Sequence, residues 1–251
     1  MGKLAFVFPG QGAQTVGMGK EFYEGYDLGK KLFDEADEAL GYSIRKLCFE
    51  GPAEELTLTA NTQPAILTVS VIAASLLRER GIMPEVAAGH SLGEYSALVL
   101  AGVLDFQDAV RLVHKRGAFM QEAVPVGEGA MAAVLGLERD KIVAVCEEIS
   151  RESPVQAVNF NCPGQTVIAG AKAGVEKATE ALSAAGAAKC VILPVSAPFH
   201  STLMAPAARK LAAELDKVEI RDAAFPVVIR ENWKARRRRS KRIWLSRPTI
   251  P

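Results

Sequence analysis

Short apolar strands alternate with longer helical segments along this chain, and that alternation limits its fold more than any other feature. A strand is predicted from Leu4 to Phe8 and a second from Val86 to Gly89, with helices over most of residues 17–80 between them. Pro64 is predicted to start the longest of these helices, because proline is favoured at the first helical position. The pattern predicts an α/β fold.

The pattern changes at Ala130, where six segments follow in the order strand, helix, strand, strand, helix, strand. The segments are MAAVLGL, residues 138–151, VQAVNF, QTVIAG, residues 172–186 and KCVILP. This order is the ferredoxin-like arrangement. It predicts a small domain over residues 125–195, inserted into a larger domain formed by residues 1–124 and 196–229.

The chain is long enough and apolar enough to bury a sizeable core, since it has 251 residues of which 49% are hydrophobic. No apolar run comes close to the roughly 18 uncharged residues that a membrane span needs. The N-terminal segment breaks at Pro9 and Gly10 before a signal-peptide core could form. The four cysteines lie far apart without a C-x-x-C pair, and the histidines do not cluster with them. The sequence predicts a soluble, cytoplasmic protein with no membrane partner, no disulfide framework and no metal.

The last 22 residues, 230–251, differ in composition from the rest of the chain. They hold nine of the 30 Lys and Arg but only one acid, Glu231, so the rest of the chain carries 21 basic against 28 acidic side chains. A basic run such as Arg236 to Arg239 can bind nucleic acid or an anionic membrane. Because nothing else suggests a groove-reading module or interleaved stacking aromatics, nucleic acid is not predicted as a partner.

One serine lies between two glycines where the second strand gives way to a predicted helix, in the motif Gly89-His90-Ser91-Leu92-Gly93. G-x-S-x-G between a strand and a helix is the nucleophile elbow, whose turn is so tight that glycines must flank the serine. The helix N-terminus and its amides point to the place where an oxyanion would form. The motif alone also fits Ser91 as an ordinary helix N-cap, but the strand-to-helix setting favours a nucleophile.

A serine nucleophile needs a base, and the sequence offers three histidines. His114 falls on the solvated side of a helix predicted at residues 105–123, so we expect it at the surface. His90 adjoins the serine and does not easily reach its neighbour's hydroxyl, so we expect a packing role. His200 stands in the loop LPVSAPFHSTLMAP, and elimination makes it the candidate base.

The acid that usually orients such a histidine is not visible, since no Asp or Glu occurs between Glu180 and Glu214. A backbone carbonyl could hold the Nδ1 proton instead, so a Ser–His dyad is the better interpretation. A loop histidine with no chemical role is the alternative that the sequence leaves open for His200.

Arg116 occupies a core-facing position on the helix predicted at residues 105–123. A guanidinium buried without an anion is costly, so a carboxylate partner is expected. That partner is either a glutamate of the protein, in a structural ion pair, or a carboxylate on the substrate, held bidentately and so selected. The apolar stripe that contains this arginine runs through Ala109, Leu112, Val113, Phe119, Met120 and Ala123.

Six motifs occur in an order that resembles the malonyl-CoA:acyl carrier protein transacylases of bacterial type-II fatty acid synthesis. They are FPGQGAQ, TANTQPAIL, GHSLGEYSALVLAG, LVHKRGAFMQ, NFNCPGQTVIAG and SAPFHS. The resemblance covers about residues 1–228. The acyltransferase domains of modular polyketide synthases share several of the motifs, so either pathway is compatible with the sequence.

The resemblance implies roles for the residues that match. Ser91 would take the malonyl group from coenzyme A as an ester, and His200 would act as general base and then as general acid. The backbone amides of Gln11 and Leu92 would form the oxyanion hole. Arg116 would hold the malonyl carboxylate, which agrees with its position on the helix.

Two further residues match the family near its active site. Phe199, in SAPFHS, looks like the malonyl-selecting form of that motif. Asn161 looks like the family asparagine, for which a structural, loop-holding function is equally compatible. The implied reaction is a ping-pong transfer between two thiols, with malonyl-CoA and acyl carrier protein as partners and no metal or redox cofactor. We expect a monomer.

The family fold is an α/β-hydrolase-like core with a parallel sheet and a ferredoxin-like small domain, which agrees with the predicted split. The resemblance ends near Val228, where the family continues with further elements that supply a carbonyl to orient the catalytic histidine. A truncated gene product or a shifted reading frame would produce such a change. A catalytically impaired form is therefore one alternative to an active transferase. A serine hydrolase or thioesterase is another, since it would share Ser91 and His200 but would not need Arg116 or a thiol acceptor.

Overall fold

The computed structural model describes residues 4–125, 127–195 and 197–229. Their contacts divide the protein into two units, one formed by residues 4–118 with 213–229 and the other by residues 119–212. The second unit extends beyond the predicted small domain and includes the loop that carries His200. The basic tail predicted at residues 230–251 lies outside the described residues.

The described residues alternate between strands and helices, as the sequence predicted. The strands are β1 (Ala5–Phe8), β2 (Val86–Gly89), β3 (Gly129–Leu135), β4 (Val155–Cys162), β5 (Gln165–Ala171), β6 (Lys189–Ile192) and β7 (Val227–Val228). The helices are α1 (Lys20–Gly25), α2 (Asp27–Leu40), α3 (Ile44–Glu50), α4 (Ala53–Thr57), α5 (Thr59–Glu79), α6 (Gly93–Leu100), α7 (Phe106–Ala123), α8 (Arg139–Ile149), α9 (Lys172–Ala184) and α10 (Ala205–Leu215). A 3-10 helix over Thr202–Met204 precedes α10.

The first unit contains a parallel sheet with the strand order β1, β2, β7. The register of β1 and β2 places Ala5 opposite Val86 and Phe8 opposite Gly89. The two strands therefore end side by side, and the loop after β1 leaves the sheet beside the elbow after β2. Sites in open parallel sheets form at this carboxyl edge, so the register brings two of the predicted motifs together.

Helix α5 begins at Thr59, and Pro64 lies inside it rather than at its start. A proline inside a helix offers no N–H to the carbonyl four residues earlier, which here belongs to Ala60. Nδ1 of His114 lies 2.9 Å from that Ala60 oxygen, and since a carbonyl only accepts, Nδ1 is the donor. The donor that replaces the missing N–H of Pro64 therefore comes from His114 on α7. The sequence around Pro64 does not show this contact, so the prediction that Pro64 starts the helix was wrong.

Helix α5 is also long and apolar enough to cross a membrane, contrary to the expectation that no run approaches that length. It is the one such helix among the described residues, and 61% of its apolar window is buried inside the protein. It packs against α2, α3, α4 and α6, with Leu67 and Ile72 fully buried. Its apolar length is that of a core helix.

The second unit is built on an antiparallel sheet with the strand order β4, β5, β3, β6. Side chains alternate across a strand, and both faces of β3 are apolar. Ala132 and Val134 pack with residues of α8 and α9 in one buried cluster. Met131 belongs to a second cluster that includes Phe199 and Met204. The second cluster anchors the loop that carries His200.

Candidate active site

Ser91 stands on a tight turn between β2 and α6, with a left-handed backbone at φ 53°. A Cβ on Gly89 would lie 1.9 Å from the Gly93 carbonyl carbon, and one on Gly93 would lie 2.3 Å from the Phe8 oxygen. A side chain at either glycine would therefore strike backbone that cannot move aside. This is the strand, turn and helix geometry that the motif predicted.

The loop after β1 lies against this turn. A Cβ on Gly10 would lie 2.5 Å from the His90 carbonyl oxygen. Gln11 follows in the same loop, and its side-chain amide donates to Thr59 Oγ1 over 3.2 Å. Leu92 precedes the first residue of α6, where helix N–H groups have no acceptor inside the helix. The two predicted oxyanion donors thus belong to segments that meet at the elbow, and their role stays a prediction.

Arg116 reaches the serine from α7. Its Nη2 donates to Ser91 Oγ over 3.0 Å, and its Nη1 donates to Gln63 Oε1 over 2.7 Å. Gln63 is 1% exposed. The hydrogen bond to Gln63 therefore holds the guanidinium against the buried face of α5. The guanidinium carbon also lies 5.7 Å from the centre of the Tyr95 ring. The predicted carboxylate-binding residue is therefore in direct contact with the predicted nucleophile.

The charge of Arg116 is not neutralised by the protein groups that the structure describes. Among the ion pairs formed within residues 4–125, 127–195 and 197–229, none includes Arg116. Burial raises the pKa of the Tyr95 phenol to about 12, although the nearby Arg116 acts in the opposite direction, so the phenol is neutral at physiological pH. A half-buried guanidinium among neutral partners is suited to bind an anion.

His200 and Ser91 are the two non-glycine residues with positive φ in the described part of the chain, and φ at His200 is 65°. In the second unit, Phe199 before it and Ser201 after it are buried. The Ser201 hydroxyl donates to the Pro198 carbonyl over 2.7 Å. Strained backbone held by buried neighbours is concentrated at functional sites, which supports a catalytic role for this histidine.

The other two predicted binding residues, also in the second unit, differ in exposure. Phe199 is buried in the cluster that contains Met131 and Met204. Asn161 is exposed at the end of β4, and its amide donates to Gln165 Oε1 on β5 over 3.4 Å. This contact favours the loop-holding alternative for Asn161. The binding roles of both residues stay predictions.

Comparison with known proteins places the chain among acyl transferases. The family model described as acyl transferase domain matches residues 5–244. The malonyl CoA-acyl carrier protein transacylase of Bacillus subtilis strain 168 is 56% identical over 229 residues, which are 91% of this chain and 72% of that relative. The transacylase of Escherichia coli strain K12 is 55% identical over 229 residues, 91% of this chain and 74% of the relative. The chain belongs to the malonyl CoA-acyl carrier protein transacylase family.

Solved structures agree with the assignment to this transacylase family. An acyl carrier protein S-malonyltransferase from Vibrio cholerae matches with a TM-score of 0.91 and 47% sequence identity. The match covers 94% of this chain and 78% of the Vibrio cholerae chain. A malonyl-transacylase in complex with its type II polyketide synthase acyl-carrier protein has the same TM-score and identity, with coverages of 94% and 77%. The α/β fold with a parallel sheet is therefore shared with these enzymes.

The sequence did not point to two polar residues at the start of α5. Thr59 accepts a hydrogen bond from Gln11, and Gln63 accepts one from Arg116. Both are 1% exposed. The sequence carried no signal for them, because the helix was predicted to start at Pro64, after both residues. Their burial, which requires hydrogen-bond partners, is visible only in the structure.

The remaining two histidines, His90 and His114, contact structural neighbours. His114 was expected at the surface, but it is half-buried because it satisfies the Ala60 carbonyl, so that expectation was wrong. His90 is exposed, and its Nδ1 would lie 2.7 Å from a Cβ on Gly10, so its packing is against the loop after β1. Among the described residues, no group of three or more His, Cys, Asp or Glu is placed to hold a metal ion.

The left-handed backbone at Ser91 should lower the stability of the protein by a measurable amount. Both Ser91→Gly and Ser91→Ala lose the hydroxyl bonded to Arg116, but only glycine adopts φ 53° freely. The αL conformation costs a non-glycine residue about 1–2 kcal/mol, which the greater freedom of glycine in the unfolded chain partly offsets. We expect Ser91→Gly to unfold at a melting temperature about 2–4 °C above that of Ser91→Ala. A melting temperature of Ser91→Ala above that of Ser91→Gly, as expected from the freedom of glycine in the unfolded chain alone, would show that the turn is unstrained.

Proposed function

We propose that this protein transfers a malonyl group from malonyl-CoA to the thiol of an acyl carrier protein, through a malonyl ester on Ser91. The observation that carries the proposal is the contact between the Arg116 guanidinium and the Ser91 hydroxyl, at 3.0 Å. A nucleophile beside a cation that no described carboxylate neutralises is suited to an acyl group that itself carries a carboxylate. The names of the relatives support the same substrates.

The first half of the reaction forms the acyl enzyme. Ser91 Oγ attacks the thioester carbonyl while His200 accepts its proton, and the amides of Gln11 and Leu92 stabilise the oxyanion. The carbon–sulfur bond then breaks, and the coenzyme A sulfur takes the proton from His200. Ser91 Oγ is left bonded to the malonyl carbonyl carbon.

The second half reverses these steps with a different thiol. The carrier-protein thiol gives its proton to His200 and attacks the ester, and the Ser91 oxygen leaves with that proton. The exchange between two thiols changes no oxidation state, so we propose no metal or redox cofactor. Water must be kept from the ester, because otherwise malonyl-CoA would be hydrolysed.

Arg116 is proposed to select the acyl group. Among the described residues, two of its five N–H donors are used, by Ser91 and Gln63. The planar guanidinium can hold a carboxylate through two parallel bonds. The bond to the buried Gln63 would keep it in place while the malonyl carboxylate binds.

The element order and strand order of the β3 to β6 sheet support a ferredoxin-like small domain, and the elbow supports an α/β-hydrolase-like core. We also propose that the enzyme works as a monomer in the cytoplasm, and serves fatty acid synthesis. The solved complex with a polyketide carrier protein keeps a polyketide pathway as the alternative.

The experiment that tests the proposed function measures coenzyme A release from malonyl-CoA with and without reduced, phosphopantetheine-bearing carrier protein. A transferase should release coenzyme A only up to one equivalent of enzyme until the carrier is added, and then turn over. Continuous release that is indifferent to the carrier would instead identify a hydrolase. A chain that neither releases coenzyme A nor carries an adduct would be the impaired form.

Replacing Arg116 with alanine should weaken malonyl transfer while sparing or raising acetyl transfer. The hydrogen bonds to a charged partner that are lost are worth about 1.5–3 kcal/mol each, which corresponds to roughly 10- to 150-fold in kcat/KM. Acetyl transfer should not be weakened in this way, because the acetyl group has no carboxylate that could form these hydrogen bonds. The measurement is kcat/KM for malonyl-CoA and for acetyl-CoA with the same carrier.

A matched control for this variant is Arg111→Ala on the same helix. Arg111 is exposed and bonds to Asp108 over 3.2 Å, so its loss should leave both rates unchanged. An equal loss of malonyl and acetyl transfer in Arg116→Ala would mean that the arginine supports the structure rather than the substrate.

A further inference from the structure

We propose that Gln156, on β4, is a positioning residue that holds the His200 turn from outside the loop. Its Oε1 accepts a hydrogen bond from the backbone N–H of Thr202 over 2.8 Å. Thr202 is the first residue of the 3-10 helix that follows the histidine. The inference rests on the proposed role of His200 as the base, because Gln156 would act on the reaction only by holding that histidine in position.

The turn needs such support because its backbone is strained. His200 has φ 65°, a left-handed conformation that residues with a Cβ adopt only when their surroundings impose it. The residues on either side must therefore be fixed more firmly than in an ordinary loop. If either side were released, the histidine would relax to a common conformation and its ring would move.

The side of the turn that precedes His200 is fixed by packing. A Cβ on Gly129 would lie 2.3 Å from Cδ of Pro198, so the Pro198 ring lies directly on the β3 backbone. Ser201 then closes the turn, with its hydroxyl and its amide both donating to the Pro198 carbonyl. These bonds lie within the loop, and they do not tie its far end to the sheet.

The far end is fixed by Gln156. The first amides of a helix lack acceptors in the helix itself, and the N-cap residue Ser201 gives the 3-10 helix no side-chain cap. Gln156 supplies that acceptor from a strand whose register is set by pairing opposite Ala169 of β5. The sheet of the second unit thereby determines where the loop resumes after the histidine.

The experiment compares two variants without an acceptor, Gln156→Ala and Gln156→Met, with Gln156→Glu, which keeps a side-chain oxygen. The chain has three histidines, so the ring signals of a histidine-labelled sample can be resolved by NMR, and His200→Asn assigns the signal of interest. The second measurement is the rate of malonyl transfer over a range of malonyl-CoA concentrations, which gives kcat and KM. Lys177→Ala, which removes an exposed bond to Glu152 in the same unit, is the control and should change neither.

The expected result is a shifted or broadened His200 signal in both acceptor-free variants, with the other two histidines unchanged. The value of kcat should fall on the order of 10- to 100-fold with little change in KM, because a misplaced base slows the chemistry and leaves binding intact. Gln156→Glu should restore both the signal and the rate.

The possible failures are distinguishable. An unchanged His200 signal in Gln156→Ala and Gln156→Met overturns the inference, and so does a moved signal with an unchanged kcat. Full activity in His200→Asn would instead overturn the proposed role of the base, whatever the Gln156 variants show. Melting temperatures near that of the parent protein establish that each variant is folded.

Discussion

Ser91→Ala should lower malonyl transfer by about 10³-fold or more, and no malonyl adduct should form on the protein. The expected loss is large because the hydroxyl is the proposed point of covalent attachment, and the alanine side chain cannot form an ester. The measurement is intact-protein mass spectrometry after mixing with malonyl-CoA, followed by peptide mapping. The parent protein should gain one malonyl group on the peptide that contains Ser91.

A second serine provides the control for this variant. Ser96 lies in α6, five residues further on, and is fully buried. Among the described residues, its hydroxyl is without a hydrogen-bond partner, so Ser96→Ala removes no bond. The adduct and the rate of transfer should both persist in Ser96→Ala. An adduct that persists in Ser91→Ala would show that another residue is the nucleophile.

The elbow could be predicted from the sequence because its causes are local. The requirement for glycine at positions 89 and 93 comes from the crossing of a strand and a helix within five residues, and that crossing follows from the chain itself. The position of Ser91 on the turn between β2 and α6 follows from these constraints. The strand before it and the helix after it were predicted from hydrophobic pattern alone, and the structure confirms both.

The partners of Arg116 could only be partly predicted. Its position on the apolar side of α7 showed that the guanidinium needed a partner, but not which one. The structure supplies Gln63 from α5 and Ser91 from the elbow, which are 53 and 25 residues away in sequence. Such contacts depend on how the helices pack, and periodicity within one helix carries no information about them.

Helix α5 shows the same limit at its N-terminus. Local propensity places a proline at the start of a helix, because an interior proline leaves a carbonyl without its donor. In this protein His114 supplies the donor to Ala60, so α5 can extend back to Thr59. The extension matters for function, since Thr59 and Gln63 are the residues that bind Gln11 and Arg116.

Backbone strain links the two proposed catalytic residues. Ser91 and His200 are the non-glycine residues with positive φ among those that the structure describes. The sequence singled out Ser91 from its motif and His200 by elimination, without reference to the backbone conformation of the histidine. Strain of this kind persists where the surroundings over-determine a conformation. At Ser91 the surroundings are the two glycines and the loop after β1. At His200 they are Pro198, Ser201 and Gln156.

His200→Asn should reduce malonyl transfer by roughly 10²- to 10⁴-fold, the range that a positioned general base contributes. Both halves of the reaction should slow, because the same group takes the proton of the attacking serine and later that of the carrier thiol. Rapid-mixing measurements of coenzyme A release before and after addition of carrier protein separate the two halves. Added imidazole should restore part of the rate in His200→Ala, where the ring leaves a space.

The control for the base is a histidine that makes a structural bond. His114→Gln keeps an N–H that can reach the Ala60 carbonyl, so its activity should be close to that of the parent protein. A loss in His200→Asn no greater than that in His114→Gln would show that His200 is not the base. A slow first half with a normal second half would show that the carrier thiol loses its proton to another group, and only the acylation role of His200 would stand.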